Sequence, residues 1–186
     1  MSTHYYLISS LPYLERMGVP PISSETYLGM CEGQVSTAEF EALATLDLVP
    51  REQPCCDAEA RWNAAETAIR NTLVKHRAGR MQNAAGIESM RPWVDRYTGL
   101  EEQAAATLEA GNPLAVSQAI DALRWQVLDD IEAAGQFTFD TLVVYRLKLM
   151  ILEKWEPLNH EKGMRELNLL IESKLKSLNI PELANG

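Results

Sequence analysis

Apolar residues recur at helical spacing along most of the chain. From about Asp57 to Gln82 they fall at intervals of three and four residues, which is the period of one face of an α-helix. Segment 139–156 is apolar nearly all round, so it predicts the most buried helix of the fold. The apolar line of the first segment consists of Trp62, Ala65, Ile69, Leu73 and, at its end, His76.

Capping signals mark the boundaries of other predicted helices. Ser36 with Glu39 three residues later forms a capping box, in which each residue satisfies an unpaired backbone N–H at the start of a helix. Asn112 followed by Pro113 is typical of an N-cap and a first helical position. Gly135 is a stop signal for the helix that Asn112 begins.

These segments together predict an all-α fold. We expect a single helical domain over residues 1–186, built as a bundle of about six or seven helices. The only plausible strand is "THYYLISS", and one strand cannot make a sheet. Segment 83–98 is predicted to be a loop or a short irregular helix. A last helix is predicted from about Asn159 to Leu178, with one apolar face consisting of Met164, Leu167, Ile171, Leu175 and Leu178.

The apolar segment "YYLISSLPYL", residues 5–14, stands near the start of the chain. A secretory signal requires a basic region before its apolar run, and no Lys or Arg precedes this segment. Ser9, Ser10 and Pro12 also interrupt it. No stretch of the sequence approaches eighteen uninterrupted apolar residues, so no membrane span is predicted. We therefore expect a segment that packs into the core or docks on a partner, with its three leucines largely buried: Leu7, Leu11 and Leu14.

Charge and cysteine content restrict the classes of function. The formal net charge is −9, which disfavours nucleic-acid binding because phosphate contacts need a positive surface. Segment 57–97 is the exception, with seven bases against five acids. The three cysteines are an odd number and show no CxxC spacing, so neither a disulfide framework nor a zinc site is predicted. This cysteine usage fits a reducing cytoplasm.

Two arginines fall on faces that the pattern assigns to the core. Arg124 shares the helical stripe of Ile120 and Val127, and Arg146 lies on the helix that is apolar all round, with Glu153 two turns further along. A buried guanidinium must be paired, because an unpaired buried charge costs several kcal/mol. The structural interpretation is an Arg–Glu network that fixes helix register; the functional one is a charged pocket for a ligand or partner. The candidate partners of Arg124 are Glu66, Asp121, Asp140 and Glu153.

A basic edge runs beside the apolar line of the long helix. It consists of Arg70, Arg77 and Arg80, and Glu66 stands four residues before Arg70, at the spacing of a helical ion pair. The edge is either a solvated flank or a docking edge for an acidic partner helix. Together, Arg70, Arg77, Arg124, Arg146 and Glu153 are the candidate residues for a partner-binding or buried-charge site.

The sequence shows no catalytic motif. It lacks GxSxG, HExxH, GxGxxG and the P-loop pattern, and we predict no catalytic residues, cofactor or metal. The adjacent Cys55 and Cys56 precede a predicted helix N-terminus, where a thiolate is favoured, but no recognised spacing links a histidine to them.

Several blocks resemble a bacterial protein family without an assigned activity. The blocks are "YYLISSLPYL", "PPISSETYLGMC", "WNAAETAIRNTLVKHRA", "NPLAVSQAIDALRWQVLDDI" and "LVVYRLKLMILEKWE". They occur in the family's order and cover almost the whole chain. The matching residues are Tyr6, Leu11, Pro12, Pro21, Ser23, Glu25, Tyr27, Arg70, Asn71, Arg77, Ala78, Asp121, Arg124 and Trp125.

The resemblance implies a function in a rotary ATPase. Genes of that family accompany genes of V/A-type ATPases, in the place of the central-stalk C subunit (d in eukaryotes), an all-α adapter between the rotor axle and the membrane ring. The resemblance thus implies a non-catalytic adapter, cytoplasmic and held at the membrane by other ATPase subunits of the stalk or ring. The alternative is a small-ligand-binding protein or enzyme whose pocket is lined by Arg70, Arg124, Arg146 and Glu153.

Overall fold

α-Helices make up all the regular structure in the part of the chain that the computed structural model describes, which is residues 4–81, 90–92, 99–109, 111–135, 137–155, 165 and 167–171. The all-α prediction is confirmed, because these residues contain no strand. Residues 165 and 167–171 are also helical. The main helices are α1 (Tyr5–Ser10), α2 (Ser24–Cys31), α3 (Thr37–Ala44), α4 (Asp57–Met81), α5 (Leu100–Thr107), α6 (Pro113–Glu132) and α7 (Phe139–Trp155).

Helix α7 lies at the centre of the fold, as its sequence predicts. α2, α3, α4 and α6 all pack against it, so nearly every face of the helix meets protein. This explains why a hydrophobic stripe is absent: a helix covered on all sides needs apolar residues all round. Its buried residues are Thr141, Leu142, Val143, Val144, Arg146, Leu147, Lys148, Leu149, Ile151 and Leu152.

Helix α4 is the longest helix and begins and ends close to its predicted limits. Its first turn is fixed by Asp140 of α7, whose Oδ1 accepts a hydrogen bond from the Ala58 N–H at 3.3 Å. The predicted apolar line faces the core at its start, where Trp62, Ala65 and Ile69 are fully buried. It becomes half-buried at Leu73 and His76. Along this line, α4 is therefore fully packed at its start and only half-buried near its end.

The predicted caps form at α3 and α6. Ser36 and Glu39 make both bonds of the capping box, and the Asn112 Oδ1 accepts from the Ala115 N–H at 2.7 Å. Pro113 occupies the first position of α6, where its missing N–H leaves no hydrogen bond unmade. The chain after α6 turns at Ala133 and Ala134 before Gly135.

The N-terminal segment is helical rather than extended. Residues 5–10 form α1, so the strand considered for this segment is wrong. Leu7 and Leu14 are buried as predicted, whereas Leu11 is only half-buried. The His4 N–H donates to the Phe137 carbonyl at 2.9 Å, and the Tyr145 hydroxyl donates to the Pro12 carbonyl at 2.9 Å. Contacts at both ends therefore hold the segment against the start and middle of α7.

Parts of two predicted segments lie outside the described residues. Of segment 83–98 only 90–92 are described, and there the side-chain amide of Asn71 pairs with the Arg91 backbone, donating to its carbonyl at 2.8 Å and accepting from its N–H at 3.1 Å. Of the last helix's predicted apolar face, Met164, Leu175 and Leu178 lie outside the described residues. Leu167 and Ile171 are 49% and 47% exposed, so that face is not buried against the core where it is described. No helix among the described residues is long and apolar enough to span a membrane.

The contact between α2 and α7 provides a test of the packing. Tyr27 of α2 is fully buried, its ring stacks on Tyr145 at 5.3 Å between centroids, and its hydroxyl donates to the Leu142 carbonyl at 2.8 Å. Tyr27→Phe removes only the hydrogen bond and should lower the free energy of unfolding by about 1 kcal/mol. Tyr27→Ala also removes the ring and should lower it by about 3–5 kcal/mol. Urea denaturation measures both values. Equal losses in the two variants would contradict the separation of ring packing from the hydrogen bond.

Candidate functional site

A network of buried charges joins α4, α6 and α7. Its first centre is Glu66 of α4, whose carboxylate is fully buried. Arg124 of α6 donates to Glu66 from both Nε, at 2.8 Å to Oε2, and Nη2, at 2.6 Å to Oε1. This bidentate arrangement is the strongest geometry for an arginine and a carboxylate. Arg70, one turn along α4, also donates to Glu66 Oε1 at 2.6 Å.

The second centre of the network is Asp121, one turn before Arg124 on α6. Its buried carboxylate accepts from Arg124 Nη1 at 2.7 Å. It also accepts from two residues at the end of α7: Lys154 Nζ at 2.7 Å and Trp155 Nε1 at 2.8 Å. Arg124 therefore lies between two carboxylates, and Arg70 and Lys154 are the outer, partly exposed cations. With three cations and two anions, the network has a surplus of one positive charge.

The protonation state of Arg124 follows from its contacts. Burial alone would lower the pKa of Arg124, but the hydrogen bonds and charges of Glu66 and Asp121 outweigh it and raise the pKa above its ordinary value. Arg124 therefore stays cationic in the fold. Because every carboxylate oxygen of Glu66 and Asp121 accepts a hydrogen bond, the network can stabilise helix packing without a ligand.

The other predicted pair, Arg146 and Glu153, meets at Ser24 rather than directly. Arg146 Nη1 donates to the Ser24 hydroxyl, and Ser24 donates to Glu153 from both its backbone N–H and its hydroxyl. Ser24 is the first residue of α2, so these contacts tie the start of α2 to α7. No hydrogen bond or ion pair among the described residues joins this cluster to the Glu66 network. The Arg and Glu side chains of the predicted pocket thus belong to two clusters.

The basic edge divides in a similar way. Arg70 turns inward to Glu66, whereas Arg77 and Arg80 are exposed and make no hydrogen bond or ion pair with the described part of the chain. Lys75, between them and Arg70, bonds to Glu101 of α5 at 3.3 Å. Of the predicted basic edge, the two arginines that are free to contact a partner, Arg77 and Arg80, therefore lie at the end of α4.

Two clefts are lined by described residues near the start of α7. The larger has a volume of about 500 Å³ and the smaller about 390 Å³. Neither includes any of the five candidate residues. The larger cleft is lined by Glu39, Cys56, Asp57, Ala58, Arg61, Ile131, Ala134, Gly135, Thr138, Phe139 and Asp140.

The cysteine pair at the start of α4 has unequal thiols. The hydrogen bond between them and the burial of Cys56 raise the pKa of Cys56, while the same bond lowers the pKa of Cys55. Glu59 accepts from the Cys55 N–H at 2.6 Å and from Arg51 Nη2 at 2.7 Å, which fixes the loop before α4. Among the described residues, no group of three or more His, Cys, Asp or Glu side chains has the geometry of a metal site.

The sequence identified the cation at the centre of the network but missed residues at its edge. Lys154 and Trp155 were not considered as partners of Asp121, although both close the predicted central helix. Lys148 was also missed; it is buried beside Trp125 and pairs with Asp129 and Glu132. The sequence signal for this site is a lysine in the middle of a helix that is apolar all round. Such a lysine is buried and must be paired, as argued for Arg146.

Removing the central cation tests the network. Arg124→Ala leaves Glu66 with only Arg70 and takes one donor from Asp121, so the free energy of unfolding should fall by about 3 kcal/mol or more. Arg77→Ala, on an exposed arginine, is the matched control and should change it by no more than about 0.5 kcal/mol. Chemical denaturation measures both variants. If Arg124→Ala behaves like the control, Glu66 does not depend on Arg124.

Comparison with known proteins gives one match. Residues 102–176 match the family model of a protein of unknown function, DUF2764. Neither the curated proteins nor the solved structures contain a match to the chain. The matched segment includes α6 and α7, and with them the α6 and α7 side of both charge clusters: Asp121, Arg124, Arg146, Glu153 and Lys154.

Proposed function

We propose that the protein is a non-catalytic helical adapter, and that its partners are subunits of a bacterial V/A-type ATPase. It would link the central stalk to the membrane rotor ring by helix packing, on the cytoplasmic side and peripheral to the membrane. The choice of partner rests on the sequence resemblance described above. The choice of an adapter over a ligand-binding protein rests on surface features of the fold.

The observation that carries the proposal is a set of exposed apolar residues, three of them tyrosines, on an anchored segment. Tyr6, Tyr13 and Val19 are 87%, 88% and 84% exposed. Tyr5 and Met17 are also exposed. We refer to these five residues as the N-terminal aromatic surface. Tyrosine and methionine are enriched at protein interfaces, because a rigid ring contributes contact area at a small cost in conformational entropy.

The segment that carries this surface is held in place before any partner binds. Leu7 and Leu14 are buried in the core. Between them, the Pro12 carbonyl accepts a hydrogen bond from Tyr145. Before them, the Tyr5 ring packs on Phe137 at 4.8 Å between centroids. A preorganised surface loses less entropy on binding than a flexible one, so more of the contact energy appears as affinity.

The distribution of buried charges favours docking over ligand binding. A charged pocket would need Arg70, Arg124, Arg146 and Glu153 to converge on one open space. Arg124 donates hydrogen bonds to Glu66 and Asp121, and Arg70 donates to Glu66. Ser24 lies between Arg146 and Glu153. The four side chains therefore do not converge on one open space, which favours docking at a surface over binding in a pocket that they would line.

Replacing the aromatic side chains tests the proposed surface. Tyr6→Ser and Tyr13→Ser should each weaken binding to purified stalk or ring subunits by about tenfold, the effect of a moderate interface residue. The melting temperature should hardly change, because both side chains are exposed. Leu114→Ser is the matched control, since Leu114 is an exposed apolar residue at the start of α6, outside the surface. Binding measured by surface plasmon resonance that is equal in all three variants would contradict the proposal.

Deleting the gene tests the assignment to the ATPase. In a host that carries the V/A-type ATPase genes, we expect loss of the protein to reduce the amount of stalk that remains on the membrane and to uncouple ATP hydrolysis from ion transport. Blue-native electrophoresis of membranes and ion-transport assays measure the two effects. The gene with Tyr6→Ser and Tyr13→Ser should fail to restore coupling, while Leu114→Ser should restore it. Normal assembly and coupling in the deletion strain would remove the adapter assignment.

A further inference from the structure

The outward face of the last two turns of α4 combines cations with a glycine. Spacing of four residues places Lys75 in line with Gly79, and His76 in line with Arg80. We refer to these four residues as the basic face of α4. Lys75, Gly79 and Arg80 are exposed and His76 is half-buried. Arg77 flanks the face and is also exposed, so the face and its flank carry three cations in a chain whose net charge is −9.

Gly79 has no internal role that the structure can explain. A Cβ atom added to it would meet no atom of the described residues beyond its own stretch of helix within 4 Å, and its backbone has ordinary helical geometry rather than a positive φ. Glycine inside a helix is less favourable than alanine by about 1 kcal/mol. A side chain would therefore fit and would stabilise the helix. Close approach of another molecule to the helix backbone is a physical reason for a glycine at such an open position.

The charges around Gly79 indicate the chemistry of that molecule. Cations near a helix C-terminus favour the helix dipole, which explains their sign but not the glycine between them. Lys75 is held by Glu101, whereas Arg77 and Arg80 have no ion-pair partner among the described residues. Arg80 directly follows Gly79, whereas Arg77 stands two residues before it and points to the other side of the helix. The unpaired guanidinium of Arg80 beside an open backbone complements a carboxylate that is carried on a regular, close-fitting element.

We propose that the basic face of α4 binds an acidic helix of a protein partner, and that the two helices come closest at Gly79. The acidic helix lies across α4 and one of its carboxylates pairs with Arg80. The identity of that partner as an ATPase subunit rests on the function proposed above; the acidic helix as occupant does not. The basic face therefore differs from the predicted basic edge. Arg70 belongs to the Glu66 network and lies outside the face, whereas Gly79 lies within it.

Substitutions at Gly79 separate fold from binding. Gly79→Ala should raise the melting temperature by about 2–4 °C, because it removes the helical cost of glycine. Gly79→Leu introduces a good helix former but fills the open space, so the variant should fold normally. Its affinity for the purified stalk or ring subunits, measured by surface plasmon resonance, should fall by tenfold or more. A lower melting temperature for Gly79→Ala would give Gly79 an internal role and overturn the proposal. Unchanged binding of Gly79→Leu would overturn it as well.

Charge reversal tests the acidic nature of the occupant. Arg80→Glu should lower the affinity for the purified stalk or ring subunits by tenfold or more. The remaining affinity should depend less on salt concentration, because exposed ion pairs are screened over about 8 Å at physiological ionic strength. Arg165→Glu is the matched control, because Arg165 is exposed and lies outside both the basic face and the N-terminal aromatic surface. If both reversals weaken binding equally, the effect is one of net charge, and the basic face is not the seat.

Cross-linking distinguishes failure of this proposal from failure of the ATPase assignment. A photo-crosslinking residue at His76, in the full-length protein in its own host, should join to a helix rich in Asp and Glu; the same residue at exposed Gln126 of α6 is the control. A cross-link to an acidic helix of an ATPase subunit supports both proposals. A cross-link to an acidic helix of another protein supports the basic face and contradicts the ATPase assignment. A cross-link to a segment without acidic residues, or the same product from both positions, overturns the basic face.

Discussion

The burial of the Glu66 carboxylate is the constraint on which the arrangement of the three longest helices depends. A carboxylate without solvent contact is tolerated only where cations and hydrogen-bond donors surround it. Arg124 supplies two donors from α6 and Arg70 supplies one from α4 itself. Asp121 repeats the arrangement between α6 and α7. If α4 slid by one turn along α6, Glu66 would lose Arg124, so the network selects one register from those that apolar packing alone would allow.

This constraint also limits what the buried charges can do. Apolar side chains in their place would often stabilise a protein equally well, so the network is better explained by specificity of packing than by added stability. A ligand that needed Arg124 would have to compete with two carboxylates already in bidentate or direct contact. The network therefore acts inside the fold, where it fixes the relative positions of the surfaces that α4 and the N-terminal segment present.

The local parts of this structure could be predicted from the sequence, and the long-range parts could not. The capping box at Ser36, the N-cap at Asn112 and the limits of α4 depend on residues within a few positions of each other, and all three predictions are confirmed. The helical wheel placed Arg124 correctly, with Glu66 and Asp121 among its candidate partners. It could not show that Ser24, more than a hundred residues away, stands between Arg146 and Glu153, since no periodicity encodes which helix covers which. The exposed Leu167 is the opposite case, because an apolar face indicates that a helix packs without indicating on what.

The length of α4 relates the two proposed surfaces to each other. The N-terminal segment is bound at Phe137, next to the start of α7, and Asp140 in the first turn of α7 holds Ala58 at the start of α4. Arg80 lies 22 residues further along the same helix, which is about 33 Å at the rise of an α-helix. The basic face therefore lies at the opposite end of α4 from the residue that Asp140 holds. The Glu66 network holds α4 near its middle against α6 and α7, so the helix would act as a strut that keeps this separation constant. A fixed distance between two docking surfaces is what an adapter between two larger bodies requires, and a protein that only enclosed a ligand would have no need of it.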